Sequence, residues 1–375
     1  MTPNPSSRHV VYIALELSAS SWLVALQRPM DRKIKLQHLE AGDTGSLRAL
    51  IAGERARAAA EFGVEVELAS CFEAGRDGFW LHRFLLGCGV KNHVVEPASI
   101  LVTRAARRAK TDRLDAQGLL RVLAATFTGD RDACRVVNVP SVEEEDAKRP
   151  HREREHLVQE RVRIENRIAA LLATQGIPKR PSLRSWETDI EAMRSGDGRP
   201  VPPCLKAELN RLRRRLSVTL ELIREVEAER ELSLETKQDS ACQTTKALCK
   251  IRGIGDNFAA VLTREVFYRS FENRRQIASY LGLAPTPFQS GGIDRDRHIN
   301  RAGNGRARKT LIQLAWLWLR YQPDSGLAKW FRERVGSLQG RSRRVAIVAM
   351  ARKLLIAIWR FAVTGVVPEG AVVAA

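Results

Sequence analysis

The segment 9–17, HVVYIALEL, is rich in β-branched and aromatic residues, which predicts a buried strand, and it carries a carboxylate, Glu16, near its end. Two short apolar segments, Ser21–Leu26 and Lys33–Leu39, follow at close spacing, so the first three strands are expected to form an antiparallel meander. Gly45–Phe62 is rich in Ala, Leu and Arg and predicts a helix. The chain therefore begins with three strands and a helix.

A fourth strand is predicted at Glu65–Glu73 (EVELASCFE), and it also ends in a carboxylate. A helix at Asp77–Leu86 and a strand at Asn92–Val95 follow, and then a helix that begins near Asp112 and Asp115. The order strand, strand, strand, helix, strand, helix, strand, helix is the ribonuclease H-like (RuvC-like) layout with a mixed sheet. In that layout the first and fourth strands lie side by side.

Four acids are expected to meet at the end of this sheet. Glu16 and Glu73 end neighbouring strands, and the spacing of Asp112 and Asp115 puts both carboxylates on one face of a helix. Four converging carboxylates repel one another unless a cation neutralises them. Hard oxygen ligands suit Mg²⁺, and a pair of such ions is typical of phosphodiester chemistry.

Each acid also has an ordinary structural interpretation. Asp112 can be a plain helix N-cap, and Asp115 can be a surface acid paired with Arg113 or Lys110. Glu73 beside Gly75 is unusual for a core position, which favours the functional interpretation. All four acids at the expected ends of their elements favour a common site.

The chain is strongly basic. Its 375 residues include 62 Lys and Arg against 43 Asp and Glu, a net charge of +19, and its pI is about 10.3. Residues 301–360 hold 14 Lys and Arg against two acids, a net +12. A solvated basic face is the simple explanation, but this much charge of one sign repels itself. Nucleic acid is the usual polyanionic partner of such a protein.

The cysteines and the apolar segments indicate the cellular compartment of the protein. The six cysteines form no CxxC pair, so neither a zinc site nor a disulfide framework is predicted, and buried thiols in a reducing compartment are expected. The N-terminus lacks the apolar region of a signal peptide. Charges interrupt the apolar stretch 345–363, which predicts an amphipathic core helix rather than a membrane span. A cytoplasmic protein is expected.

The middle of the chain is predicted to be helical. Three domains are expected, at 1–140, 141–242 and 243–375. Apolar residues in the second domain alternate spacings of four and three as in a coiled-coil seam with one polar position, comprising Leu205, Leu209, Leu212, Leu216, Thr219, Ile223 and Val226. Periodicity alone leaves two alternatives open, an intramolecular helical hairpin and a coiled-coil dimer.

The third domain is predicted to be mainly α. LCKIRGIG, residues 248–255, followed by a helix, has the pattern of a helix-hairpin-helix, in which Gly253 and Gly255 let backbone N–H groups approach a phosphate. The segment 276–283 (QIASYLGL) leads to a predicted loop at 284–305, and helices are expected from there to Gly365. Trp316 and Trp318 lie two apart in an apolar helix, and we interpret both as packing residues rather than base-stacking platforms.

A serine with open surroundings lies in the predicted loop. Ser290 is followed by two glycines, which leave its hydroxyl accessible to a bulky phosphodiester. A Ser-Gly-Gly loop is more often a turn than a nucleophile, but arginines suited to phosphate follow closely, namely Arg295, Arg297, Arg301, Arg306 and Arg308.

The sequence resembles a known family in its stretches 14–22, 71–90, 95–119, 250–262, 271–285 and 288–311. It looks like the DEDD-type transposases of bacterial insertion sequences, which join a RuvC-like domain to a serine-bearing C-terminal domain and are now known as bridge-RNA-guided recombinases. Their first acid is usually Asp, whereas this chain has Glu16. The longer side chain keeps the charge but reaches one methylene further.

The resemblance implies a specific activity. The aligned Ser290 would be the nucleophile that forms a phosphoserine link to DNA, while Glu16, Glu73, Asp112 and Asp115 hold Mg²⁺. It further implies a structured guide RNA, strand exchange between donor and target DNA, a dimer or tetramer, and a place beside the bacterial nucleoid. Two rival functions are a hydrolytic nuclease of the Holliday-junction type, which needs no Ser290, and a non-catalytic nucleic-acid-binding protein.

Overall fold

The computed structural model describes residues 9–29, 31, 33–75, 78–100, 111–130, 132–290, 293–336 and 339–373. Contacts within the chain divide it into two compact units, Met1–Pro140 and Ser141–Ala375. The predicted boundary between residues 242 and 243 lies inside the second unit.

The first unit has the predicted order of strands and helices. Its elements are β1 (Val10–Leu17), β2 (Ser21–Gln27), β3 (Lys35–Glu40), α1 (Thr44–Phe62), β4 (Glu67–Glu73), α2 (Trp80–Gly87), β5 (Lys91–Val95) and α3 (Asp112–Phe127).

The five strands form one mixed sheet in the order β3-β2-β1-β4-β5. The meander is antiparallel, and β1 pairs in parallel with β4, which confirms that the first and fourth strands are neighbours. Alternate residues of β1 point to opposite faces of the sheet. Val11, Ile13 and Leu15 pack in a cluster with residues of α1 and α2. Ala14 packs on the other face with residues of α3.

The second unit begins with a long helical hairpin. It comprises α4 (Val142–Asp146), α5 (Arg149–Ala173), α6 (Trp186–Ala192) and α7 (Pro203–Thr236). Leu157 of α5 packs with Ile223 and Val226 near the end of α7. The later α5 residues pack with residues nearer the start of α7, so the two helices are antiparallel.

The predicted coiled-coil seam is buried against α5 of the same chain. Leu209, Leu212, Leu216, Thr219, Ile223 and Val226 are all buried, and Leu205 is partly buried. The polar position is satisfied because the Thr219 hydroxyl donates to the Arg215 carbonyl at 2.8 Å. The hairpin alternative therefore accounts for the whole periodicity.

The rest of the second unit is mainly helical. Its elements are α8 (Ser240–Cys249), α9 (Asp256–Glu265), α10 (Arg274–Tyr280), β6 (Pro285–Ser290), β7 (Ile293–Ile299), α11 (Gly305–Tyr321), α12 (Gly326–Val335) and α13 (Gly340–Thr364). Helix α13 supplies seven buried residues to the core, as expected for the apolar stretch 345–363. Within the described ranges, no helix is both long and apolar enough to cross a membrane.

Three sequence-based expectations were wrong. The predicted loop at 284–305 contains the antiparallel hairpin β6–β7. The prolines of β6 made this strand hard to recognise from the sequence. They are tolerated because each strand of a two-stranded ribbon has an outer edge, where a missing backbone N–H costs little stability. Trp318 is buried, but Trp316 is 37% exposed and is no core residue. Cys71, Cys134 and Cys242 are buried, whereas Cys204 is exposed.

The hairpin packing can be tested by cutting back one seam residue. Leu209→Ala should lower the free energy of unfolding by about 3 kcal/mol, because it leaves a cavity at a fully buried position. Val218→Ala, at a position 54% exposed on the same helix, should change it little. The difference in melting temperature between Leu209→Ala and wild type should not vary with protein concentration, because the seam is buried within one chain. A difference that grows on dilution would mean that the seam joins two chains.

Candidate active site

Two acids end neighbouring parallel strands on the same face of the sheet. Leu15 of β1 lies opposite Phe72 of β4, and Glu16 and Glu73 come next on their strands. Each acid follows by two residues a side chain that packs against α3, Ala14 in β1 and Cys71 in β4. Burial raises the pKa of the Cys71 thiol, with smaller contributions from Cys134 and from the nearby charge of Glu73. Both acids therefore belong to the α3 face of the sheet.

Helix α3 runs antiparallel to these two strands. Phe127 at its end packs edge-on against Tyr12 near the start of β1, with ring centroids 6.0 Å apart. The Cys71 thiol, two residues before the end of β4, donates to the Leu119 carbonyl at 3.5 Å. The first turn of α3 is therefore directed toward the carboxyl ends of β1 and β4.

The other two acids lie in that first turn. Asp112 precedes the buried Ala116 by four residues, and Asp115 precedes the buried Leu119 by four, so both acids share the sheet side of the helix. Thr111 is the N-cap, and its hydroxyl accepts from Leu114 N at 3.3 Å. The suggestion that Asp112 is the N-cap is therefore wrong. Acids in a first turn also stabilise the helix dipole, which is their ordinary structural role.

The backbone thus directs four carboxylates to one end of the sheet, but their side chains do not form a closed site. Among the described residues, no three His, Cys, Asp or Glu side chains are grouped so as to hold a metal ion. The four acids still have the chemistry that a hard divalent cation requires, because all of their donor atoms are carboxylate oxygens. Residues 101–110, immediately before α3, lie outside the described ranges. The convergence of the four acids on a metal stays a prediction.

Ser290 is the last residue of β6, where its backbone pairs with Ile293. Gly291 and Gly292 lie outside the described residues, as do the side chains of Ser290, Arg295 and Arg297. The structure gives the serine a position at the tip of a two-stranded hairpin instead of the predicted loop.

The remaining arginines of the predicted phosphate set differ from one another. Arg301 is exposed and has a left-handed backbone with φ of 62°. Arg306 forms ion pairs with Glu155 and Glu265. Arg308 donates to the carbonyls of Leu281 at 2.9 Å and Ala302 at 3.2 Å. Arg308 therefore holds the base of the β6–β7 hairpin, and Arg306 ties the start of α11 to α5 and α9, roles that the sequence did not suggest.

Two glycines allow the base of the hairpin to close. A Cβ on Gly282 would lie 2.0 Å from the Ala302 carbonyl oxygen, and one on Gly303 would lie 2.1 Å from the Tyr280 carbonyl oxygen. Both residues also have left-handed φ angles, at 63° and 80°. Only glycine fits these positions, so the chain entering β6 and the chain leaving β7 meet in a fixed crossing.

The predicted helix-hairpin-helix corresponds to α8, a short turn and α9. Gly253 has φ of 92°, and a Cβ there would lie 2.9 Å from the Tyr321 Cβ. The close contact with Tyr321 therefore explains why residue 253 is a glycine, without a phosphate contact. Gly255 precedes α9, and a Cβ there would meet no atom within 4 Å. A phosphate contact at Gly253 and Gly255 stays a prediction.

A buried carboxylate beneath the hairpin was missed. Glu265 is 2% exposed at the end of α9. His151 Nε2 lies 2.9 Å from its Oε1, and Arg152 binds both carboxylate oxygens, at 2.7 and 3.0 Å. The Asn304 amide donates to Oε2 at 3.0 Å. The sequence does show one acid, Glu265, within the largely apolar stretch 258–267. Its partners could not be found from this pattern, because α5 and α11 are distant in sequence.

The ionisation of this cluster follows from its burial and contacts. Burial alone would raise the pKa of Glu265, but the bonds from His151 and Arg152 hold it far below its ordinary value. Burial lowers the pKa of His151 more than Glu265 raises it. Glu265 is therefore charged at neutral pH, while His151 is neutral and donates its Nε2–H to the carboxylate.

Two family models match the chain. One, for transposases of the IS116/IS110/IS902 family, covers residues 245–329, and the other, described as a transposase, covers residues 19–176. The chain is 44% identical to putative transposase y4rJ of Sinorhizobium fredii over 96% of its own length and 94% of that protein. It is 26% identical to the transposase for insertion sequence element IS1111A of Coxiella burnetii, over 74% and 73% of the two chains.

The Glu265 cluster predicts a pH-dependent contribution to stability. Glu265→Gln should lower the free energy of unfolding by about 3 kcal/mol at pH 7, because it leaves Arg152 without its counter-charge. The pKa of Glu265 is depressed in the folded protein, so its charge stabilises the fold above the ordinary pKa. The difference from wild type should therefore shrink as the pH falls below about 4.5.

Urea unfolding of the two proteins between pH 7 and pH 3 measures this difference. Glu333→Gln, at an exposed position of the same unit, is the matched control and should behave as wild type at every pH. A difference that stays constant down to pH 3 would contradict the depressed pKa of Glu265.

Proposed function

Because the chain belongs to the IS116/IS110/IS902 family of transposases, we propose that it cleaves and exchanges DNA strands with two chemical elements, the four acids of the first unit and Ser290 of the second. One observation gives the proposal its strongest support. The parallel register of β1 and β4, with α3 antiparallel to both, supports a common site for Glu16, Glu73, Asp112 and Asp115 at one end of the sheet.

The four acids would hold a divalent cation. Their all-carboxylate donor set favours Mg²⁺, and two ions are the common arrangement in phosphodiester chemistry. A bound metal would neutralise charge on the phosphate and lower the pKa of a coordinated hydroxyl. The residues themselves supply negative charge at a fixed place, and α3 holds two of them in one rigid turn.

Ser290 would be the nucleophile. Its Oγ would lose a proton and attack phosphorus, so that an Oγ–P bond forms, one backbone P–O bond breaks, and the released DNA oxygen takes a proton. Its position at the tip of a narrow hairpin supports this role, because a two-stranded ribbon can enter a groove of the duplex. Arg301, which is exposed beyond the end of β7, is available to a phosphate.

Nucleic acid fits the charge of the chain, with a net +19 overall. DNA is the proposed substrate, as donor and target, and a structured guide RNA is a proposed partner. Co-purification of a discrete RNA with the protein tests the guide. We also propose a dimer or tetramer at the bacterial nucleoid, but with a contact other than the α7 seam, which is buried within one chain.

The four-acid site predicts metal-dependent activity. Asp115→Asn should reduce Mg²⁺-dependent DNA cleavage on the order of a hundredfold or more, because it removes a charged ligand while keeping the shape of the side chain. Asp130→Asn, an exposed acid after the end of α3, is the matched control and should retain full activity. Full cleavage by Asp115→Asn would exclude the metal site at this end of the sheet.

Glu16 tests whether the site tolerates the shorter acid. Glu16→Asp should keep or increase Mg²⁺-dependent cleavage, because the change keeps the charge and gives the shorter acid that is usual in the family. A complete loss of cleavage would mean that the site is built around the longer side chain.

The serine predicts a covalent intermediate. Wild-type protein incubated with nicked or junction DNA should give a protein–DNA adduct that survives denaturation, and Ser290→Ala should give none. Ser270→Ala, an exposed serine of the same unit, should still form the adduct. Cleavage without an adduct in wild type would favour the hydrolytic nuclease, and binding without cleavage would favour the non-catalytic protein.

Mixing the two inactive chains tests assembly. If the serine of one chain acts with the acids of another, a Ser290→Ala chain mixed with an Asp115→Ala chain should recover part of the activity. A mixture that stays inactive while subunits exchange would mean that each chain uses its own serine.

A further inference from the structure

Helix α11 presents a tryptophan to solvent within a polar stripe. Lys309, Gln313, Trp316 and Arg320 follow spacings of four, three and four, and all are exposed. Trp316 is 37% exposed, although Trp318, two residues on, is completely buried. An indole that is more than a third exposed on a helix offers a flat, partly apolar surface to a partner. This face of α11 is therefore a candidate binding surface.

The exposed indole is held by its neighbours. Phe331 of α12 packs edge-on against it, with ring centroids 6.3 Å apart and an interplanar angle of 74°. The guanidinium of Arg343, from the start of α13, lies over the ring at 5.4 Å from its centroid. Arg343 is itself exposed, so its long side chain can move outward without losing buried contacts. The pair forms an aromatic surface beside an exposed cation.

The surroundings of the pair are strongly basic. Neither α11 nor α13 contains an acidic residue. Arg341, Arg343 and Arg344 crowd the start of α13, and its first turn has no acid. Cations at a helix N-terminus are unfavourable to the helix dipole, so the dipole does not explain the positions of Arg341 and Arg344. An anion bound there would offset both the dipole and the mutual repulsion of the three arginines.

We propose that Trp316 and Arg343 form a stacking site for one unpaired base of a DNA strand, whose phosphates contact Arg341 and Arg344. The base would lie on the indole, with the guanidinium of Arg343 displaced onto its other face. Duplex DNA buries the faces of its bases, so only an unpaired strand offers a face to the ring. This inference rests on the proposed function, since strand exchange produces unpaired DNA.

The test compares single-stranded and duplex DNA of the same sequence. Trp316→Ala should weaken binding of a fluorescent 20-nucleotide single strand about tenfold, because it removes one base–aromatic stack. Duplex binding should change less than twofold. Trp316→Phe should restore most of the affinity. The salt dependence of binding should be unchanged in Trp316→Ala but weaker in Arg341→Gln, because only arginine releases counterions from the phosphates.

Trp80→Ala is the matched control, since Trp80 is 42% exposed but lies in the first unit. It should leave single-strand binding unchanged. Single-strand binding by Trp316→Ala within twofold of wild type would overturn the stacking site. An equal loss for duplex would overturn it too, because stacking requires an unpaired base. A loss confined to a single-stranded RNA of the same sequence would overturn the assignment to DNA.

The Ser290 adduct is measured separately on the same proteins. Absence of an adduct in wild type, together with a selective single-strand defect in Trp316→Ala, would reject the proposed chemistry but keep the stacking site. An adduct in both proteins with equal single-strand affinity would reject the stacking site alone.

Discussion

The second unit depends on the burial of one negative charge. A carboxylate taken out of water is costly unless it is paired and fully hydrogen-bonded. Glu265 meets this condition only with side chains from α5 and from the start of α11, so these helices and α9 are held in one arrangement. The same contacts fix the base of the β6–β7 hairpin, because Asn304 also caps α11, accepting from Ala307 N at 3.0 Å.

The first unit depends on an apolar constraint instead. The α3 face of the central strands carries small side chains, among them Ala14, Ala69 and Cys71, which let the helix approach the sheet closely. The period of two along each strand then determines where the acids point. Glu16 and Glu73 lie on the helix face because the residues two before them must pack there. Packing and the position of the candidate site are thus set by the same pattern.

Local patterns predicted the order of elements in the first unit and the adjacency of β1 and β4, because strand alternation and helix period are encoded within short segments. They could not choose the partner of the α7 seam, since the same period serves a hairpin and a dimer. They missed Glu265, whose partner His151 is 114 residues away in sequence. For Trp316 and Trp318 the spacing indicated opposite faces, but only the tertiary fold determines which face is inside.

The charges of the chain divide into those that stabilise the fold and those that remain for a partner. Glu54, a buried acid of the first unit, binds Arg28, Lys35 and Arg57 at 2.9 to 3.2 Å, as Glu265 binds its partners in the second. Those basic residues have a carboxylate partner within the protein. The arginines at the start of α13 differ, because neither α13 nor α11 contains a carboxylate. Their repulsion lowers stability, and a polyanion bound along this face would remove it. Such a basic surface suits the DNA substrate that a transposase implies. A base stacked on Trp316, as we propose, would distinguish an unpaired strand from a duplex, which charge alone cannot do.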